Sequence, residues 1–160
     1  MGTLPRNGEV SVEVDASPEQ VWNLLTDITR AGEWSHETQG GDWLDDATAA
    51  APGARFQGRN ENGRFKWTRQ CEVLSVEQNR SISWRTIPTK LRYRDSTIWT
   101  YELEPTGRGC RITQRFEVVQ LGPLTDRLFY AVIPAHRDRS DALADDVRRL
   151  GEHAATVAVA

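Results

Sequence analysis

VSVEVDASPEQVWNLLTDITRAGEWS, residues 10–35, changes from a period of two to a period near 3.6 within a few residues, and that change governs how the rest of the chain is read. Val10, Val12 and Val14 alternate with Ser11 and Glu13, the pattern of a strand buried on one face. ASPEQ then starts a helix. Ser17 stands at the N-cap and Pro18 at the first helical position. Gln20 sits where a capping box returns its hydrogen bond. Val21, Leu24, Leu25 and Ile28 follow at helical spacing with Trp22 at the edge, and Asp27 can restart a short second helix that Gly32 ends. The chain therefore opens with a strand and two short helices.

Beyond a Gly- and Ala-rich connection (GGDWLDDATAAAPG, 40–53) the period returns to two. Ala54, Phe56 and Gly58 alternate with arginines and Gln57, and NENG supplies an Asn-Gly hairpin signal. Phe65, Trp67, Cys71 and Val73 form the next apolar row, interrupted by Arg69. Ile82, Trp84 and Thr86 follow the EQNR turn. The polar connection PTKLRYRD leads to Thr97, Trp99, Tyr101 and Leu103, and PTGRG turns the chain into Cys110, Ile112, Gln114, Phe116 and Val118. From Pro123 the period is helical again: Leu128, Phe129, Val132, Ile133, His136, Ser140, Leu143, Val147 and Leu150 share one stripe, with a kink expected at Pro134. That helix would be roughly 40 Å long at 1.5 Å per residue, the length of a strand of about twelve residues.

The expected architecture is α+β: a curved antiparallel sheet of about six or seven strands wrapped around a long C-terminal helix, with two short helices after the first strand. The 160 residues suit one domain, 1–160 with a core of about 9–150, able to bury a core without staples. A net charge of −3 with signs mixed along the chain gives no basic field for nucleic acid. No stretch approaches the roughly 18 apolar residues of a membrane span, and the N-terminus lacks a secretory apolar core, so a cytoplasmic location without membrane insertion is expected. Cys71 and Cys110 read as reduced thiols, and the three histidines have no metal-ligand spacing; neither metal nor cofactor is expected.

The order of elements resembles the START/Bet v 1-like (SRPBCC) superfamily of helix-grip domains, in particular its polyketide cyclase/dehydrase and lipid-transport-like branch. The resemblance is carried by residues 10–35 above, by GARFQGRNENGRFKW (53–67), by WTYELEP (99–105) and by CRITQRFEV (110–118). It implies a cavity between the sheet and the terminal helix. It transfers no catalytic residue by motif, so the catalytic residues stay unknown.

Inward-facing Arg69, Gln114, Tyr101, Thr86 and Thr97 break otherwise apolar rows, and a buried polar group needs a partner, water or ligand. Together with the cavity they define candidate ligand-binding residues Trp67, Arg69, Trp84, Trp99, Tyr101, Gln114, Phe116, Phe129, Val132 and His136. Each also has a plain structural reading: the tryptophans as core, Arg69 paired with Glu37, Asp42 or Asp95, and His136 as a core or rim histidine. His36 is expected to be exposed near the mouth, and DRSDALADDVRR (138–149) to be a solvated helix face.

The expected function is binding or transport of a hydrophobic small molecule, such as a lipid, polyketide or aromatic metabolite. One alternative is a polyketide cyclase or aromatase working in the same cavity, with Arg69 polarising a carbonyl and Tyr101 or His136 moving protons. The other is a protein-interaction or dimerisation module using the loop around Trp34 and Trp43. The chain is expected to be a monomer or a homodimer.

Overall fold

The computed structural model describes residues 6–123 and 139–156. Strand β1 (Asn7–Val14) leads into helix α1 (Pro18–Thr26) and a short 3-10 helix (Ile28–Glu33). Six further strands follow: β2 (Thr38–Trp43), β3 (Arg55–Asn62), β4 (Phe65–Glu77), β5 (Ser81–Thr86), β6 (Ser96–Pro105) and β7 (Cys110–Gln120). Helix α2 (Ser140–Ala154) comes last among the described residues. All strand pairs are antiparallel, in the order β1-β7-β6-β5-β4-β3-β2, and the sheet is curved.

The capping residues behave as their chemistry requires. Gln20 N–H donates to Ser17 Oγ at 3.2 Å, and Ser17 N–H donates to Gln20 Oε1 at 3.0 Å, closing a capping box over two otherwise orphaned donors. The Asp27 carboxylate accepts from Thr29 N–H at 3.3 Å and starts the 3-10 helix.

Several expectations are corrected. Strand β2 takes up residues 40–43 of the segment read as a connection: Gly40 and Gly41 are buried, and the β2–β3 register shifts between Thr38 and Gly40. The bulge hides the alternation that marks a strand. The tight turn after β3 slides by one residue: Asn62 pairs with Phe65, and Gly63 at φ +61° opens a two-residue loop, the place where a II′ hairpin favours glycine. Trp22 is buried rather than marginal, and Ser140 is exposed rather than on the helix stripe. Leu128, Phe129, Val132, Ile133, Pro134 and His136, with the first part of the helix expected from Pro123, lie outside the described residues.

Strand β4 is thirteen residues long and changes face midway. Its register with β5 shifts between Val73 and Ser75, so Val73 and Val76, three apart, both reach the core, while Leu74 turns out.

The pairings arrange the inner face in rows across the sheet. One end is filled: Leu103 and Ile112 pair beside Val12, and Cys110 pairs with Val14, under the buried faces of α1 and α2. Val21, Leu24 and Leu25 of α1 meet Val147, Leu150 and Ala154 of α2 in this core. Helix α2 lies close to β1 at Gly151, where an added Cβ would stand 2.2 Å from Val14 Cγ1 and 2.5 Å from Val14 Cβ. The outer face carries charge ladders, with Arg115 bridging Glu9 and Glu102 and Arg111 bridging Glu13 and Glu104. Exposed pairs of this kind contribute little each.

The helix-to-strand approach at Gly151 yields a first test. Gly151→Ala is expected to destabilise the protein by about 1–3 kcal/mol through overpacking, despite the better helix propensity of alanine. Val14→Ala is expected to restore only part of the loss, because Val14 Cβ itself is in the way. Urea denaturation of the single and double variants measures both.

Candidate functional site

Toward the other end of the sheet the rows are not filled, and the sheet and helices enclose a cavity of about 300 Å³. That lies at the lower end of the size range of small-molecule pockets. Strands β3 to β7 form one wall. The 3-10 helix, the segment from Trp34 to Thr38 and the first turns of α2 form the other.

Strand register explains which side chains reach it. Trp84 pairs with Trp99, and Trp99 with Phe116; Tyr101 pairs with Gln114 in the next row. The rings form two groups of contacts. Trp84 stacks on Tyr101 with centroids 5.2 Å apart, and Phe56 and Trp34 meet these two rings edge-on at 5.8 and 6.1 Å. Trp99 leans on Phe116 at 5.5 Å. Centroid separations in this range are those that aromatic quadrupoles favour.

Of the candidate ligand-binding residues, Trp67, Arg69, Trp84, Trp99, Tyr101, Gln114 and Phe116 all border this one cavity, with Thr86 and Thr97 between them. Phe129, Val132 and His136 lie outside the described residues.

Arg69 answers the interruption in its strand with a partner from the connection before β6. Its side chain is only 10% exposed, and it donates to Asp95 through Nη1 at 3.2 and 3.3 Å and through Nη2 to the Asp95 carbonyl at 3.1 Å. The guanidinium also lies over the Tyr93 ring, 5.0 Å from its centroid. Of the three carboxylates considered, Asp95 is the one bound; Asp42 instead takes Arg59.

The second polar cluster was not legible as a site. Asp146, within the run read as a solvated face, is 3% exposed and borders the cavity. His36 reaches it twice: the backbone N–H donates to Oδ1 at 2.9 Å, and Nδ1 lies 2.7 Å from Oδ2. Arg149 Nη2 donates to Oδ1 at 2.7 Å. The hydrogen bond to Asp146 holds the His36 pKa above its ordinary value, against the opposing effect of burial. A helical signal was present, since Asp146 follows Leu143 by three and precedes Leu150 by four, on the edge of the buried stripe.

Three buried polar atoms in the cavity wall have no hydrogen-bond partner among the described residues: Trp34 Nε1, Arg69 Nε and Gln114 Oε1. Gln114 Nε2 donates to the Tyr101 hydroxyl at 2.6 Å. Burial, and then the charge of Asp146, push the Tyr101 pKa up, so Tyr101 is a neutral phenol. Burial pushes the Cys71 thiol, also in the wall, up to about 12. Of the two rings named for the interaction-module reading, Trp34 is buried, and Trp43 is half-buried and packs edge-on against Phe56.

Among the described residues no helix is long and apolar enough to cross a membrane, and no three His, Cys, Asp or Glu side chains gather to hold a metal ion.

The sequence model of the family described as polyketide cyclase / dehydrase and lipid transport matches residues 6–152. Among solved structures, the chain is similar to protein MLL2253 from Mesorhizobium loti, with 20% identity and a TM-score of 0.67 over 96% of this chain and 100% of that one. It is similar to the Polyketide_cyc-like protein Cgl2372 from Corynebacterium glutamicum, with 30% identity and a TM-score of 0.50 over 78% of this chain and 71% of that one. It also shares its fold with major latex-like protein 151 from Panax ginseng, at 13% identity and a TM-score of 0.63 over 93% and 98% of the two chains. No curated protein matches the chain.

The His36–Asp146 pair sets a pH dependence of stability. Because the folded-state pKa of His36 is raised, its stabilising contribution is fully present below the unfolded-state value near 6.5 and is lost as pH rises through the folded-state value. His36→Gln is therefore expected to lower the urea midpoint more at pH 5.5 than at pH 9. A gap that widens with rising pH would contradict this.

Proposed function

The chain belongs to the polyketide cyclase / dehydrase and lipid transport family, and from that premise we propose that its cavity binds an apolar small molecule, an aromatic metabolite or polyketide in preference to a long lipid chain. The observation that carries this reading is the aromatic wall joined to unpartnered polar atoms. Trp34, Trp84, Trp99, Tyr101 and Phe116 offer flat faces, while Trp34 Nε1, Arg69 Nε and Gln114 Oε1 await partners among the described residues. Flat rings fit a ring system better than they fit a flexible acyl chain, which loses more rotamer freedom on ordering. The proposed binding residues are therefore Trp67, Arg69, Trp84, Trp99, Tyr101, Gln114 and Phe116.

A cyclase-type enzyme in the same cavity is the second reading, and one observation favours it. His36 Nδ1 is oriented by a buried carboxylate, the arrangement in which imidazole moves protons, and the pair shares the cavity wall with the neutral Tyr101 phenol. For this reading His36 and Asp146 join Tyr101 and His136 as proton-transfer candidates. Loss of turnover in His36→Ala, with ligand binding retained, would establish it.

Native mass spectrometry of freshly purified protein, with a titration by aromatic polyketides and fatty acids, tests the leading reading. A cavity-filling Thr97→Phe variant is expected to weaken aromatic binding at least about tenfold while keeping a cooperative melt. Unchanged affinity in that variant would place the ligand elsewhere.

A further inference from the structure

We infer that the end of the sheet beside the cavity is a docking surface for an anionic lipid bilayer, with the loop 87–95 as its contact element. Antiparallel pairing brings the β3–β4 turn, the β5–β6 loop and the last residues of β7 to this one end. Residues 62–66 and 87–95 carry exposed Arg64, Lys66, Lys90, Arg92 and Arg94 and a single carboxylate, Asp95, which Arg69 engages. Lys66 lies 3.7 Å from Glu61, an exposed pair whose charges stay open to solvent. This cationic end belongs to a chain whose net charge is −3. Of the four large apolar side chains exposed among the described residues, three stand at the same end: Leu91 at 91%, Phe65 at 60% and Val119 at 51%. One such side chain alone is ordinary. Three among cations make a surface that meets lipid headgroups with charge and the acyl boundary with carbon.

The loop is built to hold Leu91 outward. Its base is fixed to the cavity wall, where Arg69 pairs with Asp95 and lies over the Tyr93 ring. Thr89 N–H donates to the Tyr93 carbonyl, and Tyr93 N–H donates to Thr89 Oγ1 at 2.9 Å, so the chain closes a turn with Lys90, Leu91 and Arg92 between. Arg94 Nε donates to the Lys90 carbonyl at 3.0 Å. Gln120 Nε2 donates to the Arg94 carbonyl at 2.6 Å and ties the turn to β7 beside Val119. A turn ordered before contact loses little conformational freedom on docking. Cations alone would suffice for an acidic protein or a nucleic acid. Leu91, set between Lys90 and Arg92, gains from an apolar layer beneath the charged one, which a bilayer has and a polyanion lacks. The cavity lining reaches the same end through Trp67, Arg69, Asp95, Thr97 and Val118, so a docked molecule turns its cavity end toward the membrane.

Cosedimentation of the full chain with vesicles of phosphatidylcholine, with and without about one third phosphatidylglycerol, tests this. It uses no cavity ligand, so its outcome is independent of the cavity-binding reading. Binding is expected only where phosphatidylglycerol is present, and is expected to fall at least about tenfold between about 0.05 and 0.5 M salt. The double variant Lys90→Glu/Arg92→Glu is expected to weaken binding at least about tenfold, and Leu91→Ala about threefold, each with an unchanged melt. If the double variant fails to melt cooperatively, Leu91→Ala and the salt titration decide.

Absence of binding to the anionic vesicles would overturn the docking surface and leave the cavity reading standing. Undiminished binding by the double variant would overturn it by placing the contact elsewhere on the molecule. Undiminished binding by Leu91→Ala would overturn it by showing that charge alone is read, as an acidic protein or a nucleic acid would read it. Equal binding to both kinds of vesicle would overturn the part given to the cations.

Discussion

A carboxylate out of water is tolerable only where donors converge on it, and Asp146 has three: the His36 backbone N–H, the His36 ring and Arg149. The desolvation cost of such a group is several kcal/mol, so the groups that answer it are held in place as firmly as the carboxylate. Asp146 belongs to α2, and His36 to the segment that leads into β2. One cluster therefore fixes the helix against the start of an edge strand. The following residues continue the tether, with Thr38 Oγ1 donating to Asn60 Oδ1 at 2.8 Å and Glu61 N–H donating to the Glu37 carbonyl at 2.9 Å. The cavity wall opposite the sheet is held by these bonds together with the apolar packing of Leu25, Ile28, Trp34 and Leu143.

The sheet itself divides the labour along its length. At the end near Cys110 and Val14, small and branched side chains pack with the helices into one buried cluster, which supplies hydrophobic stabilisation. Toward Trp67 and Arg69 the rows carry large rings that touch each other at 5.2–6.1 Å instead of filling the space between the layers. Interiors are ordinarily close-packed, so a retained hollow lined by rings is held open by the stiffness of its wall. Arg69, clamped by Asp95 and Tyr93, stiffens the connection before β6 in the same way.

How much of this was legible in the sequence depends on the distance over which each signal acts. The capping box at Ser17, the restart at Asp27 and the alternation of β6 and β7 are local, and each appears where its residues indicate. The inward set at Trp67, Arg69, Trp84, Trp99, Tyr101, Gln114 and Phe116 was readable because a period of two assigns a face without knowledge of neighbours. Strand β2 was hidden by a bulge at paired glycines, and the reversal of face within β4 by the shift at Leu74; both are breaks of parity, and parity was the signal in use. Asp146 and His36 are 110 residues apart, and charge on a helix ordinarily means solvent. Only a view of the helix edge beside Leu143 and Leu150 marks that carboxylate, and nothing local to His36 marks its partner.

The thiol of Cys71 gives the hollow a chemical character of its own. Burial pushes its pKa up to about 12, so at neutral pH the group is a protonated thiol and behaves as a small apolar side chain. At this point of its wall the hollow thus presents a small, apolar and unreactive group to whatever enters it.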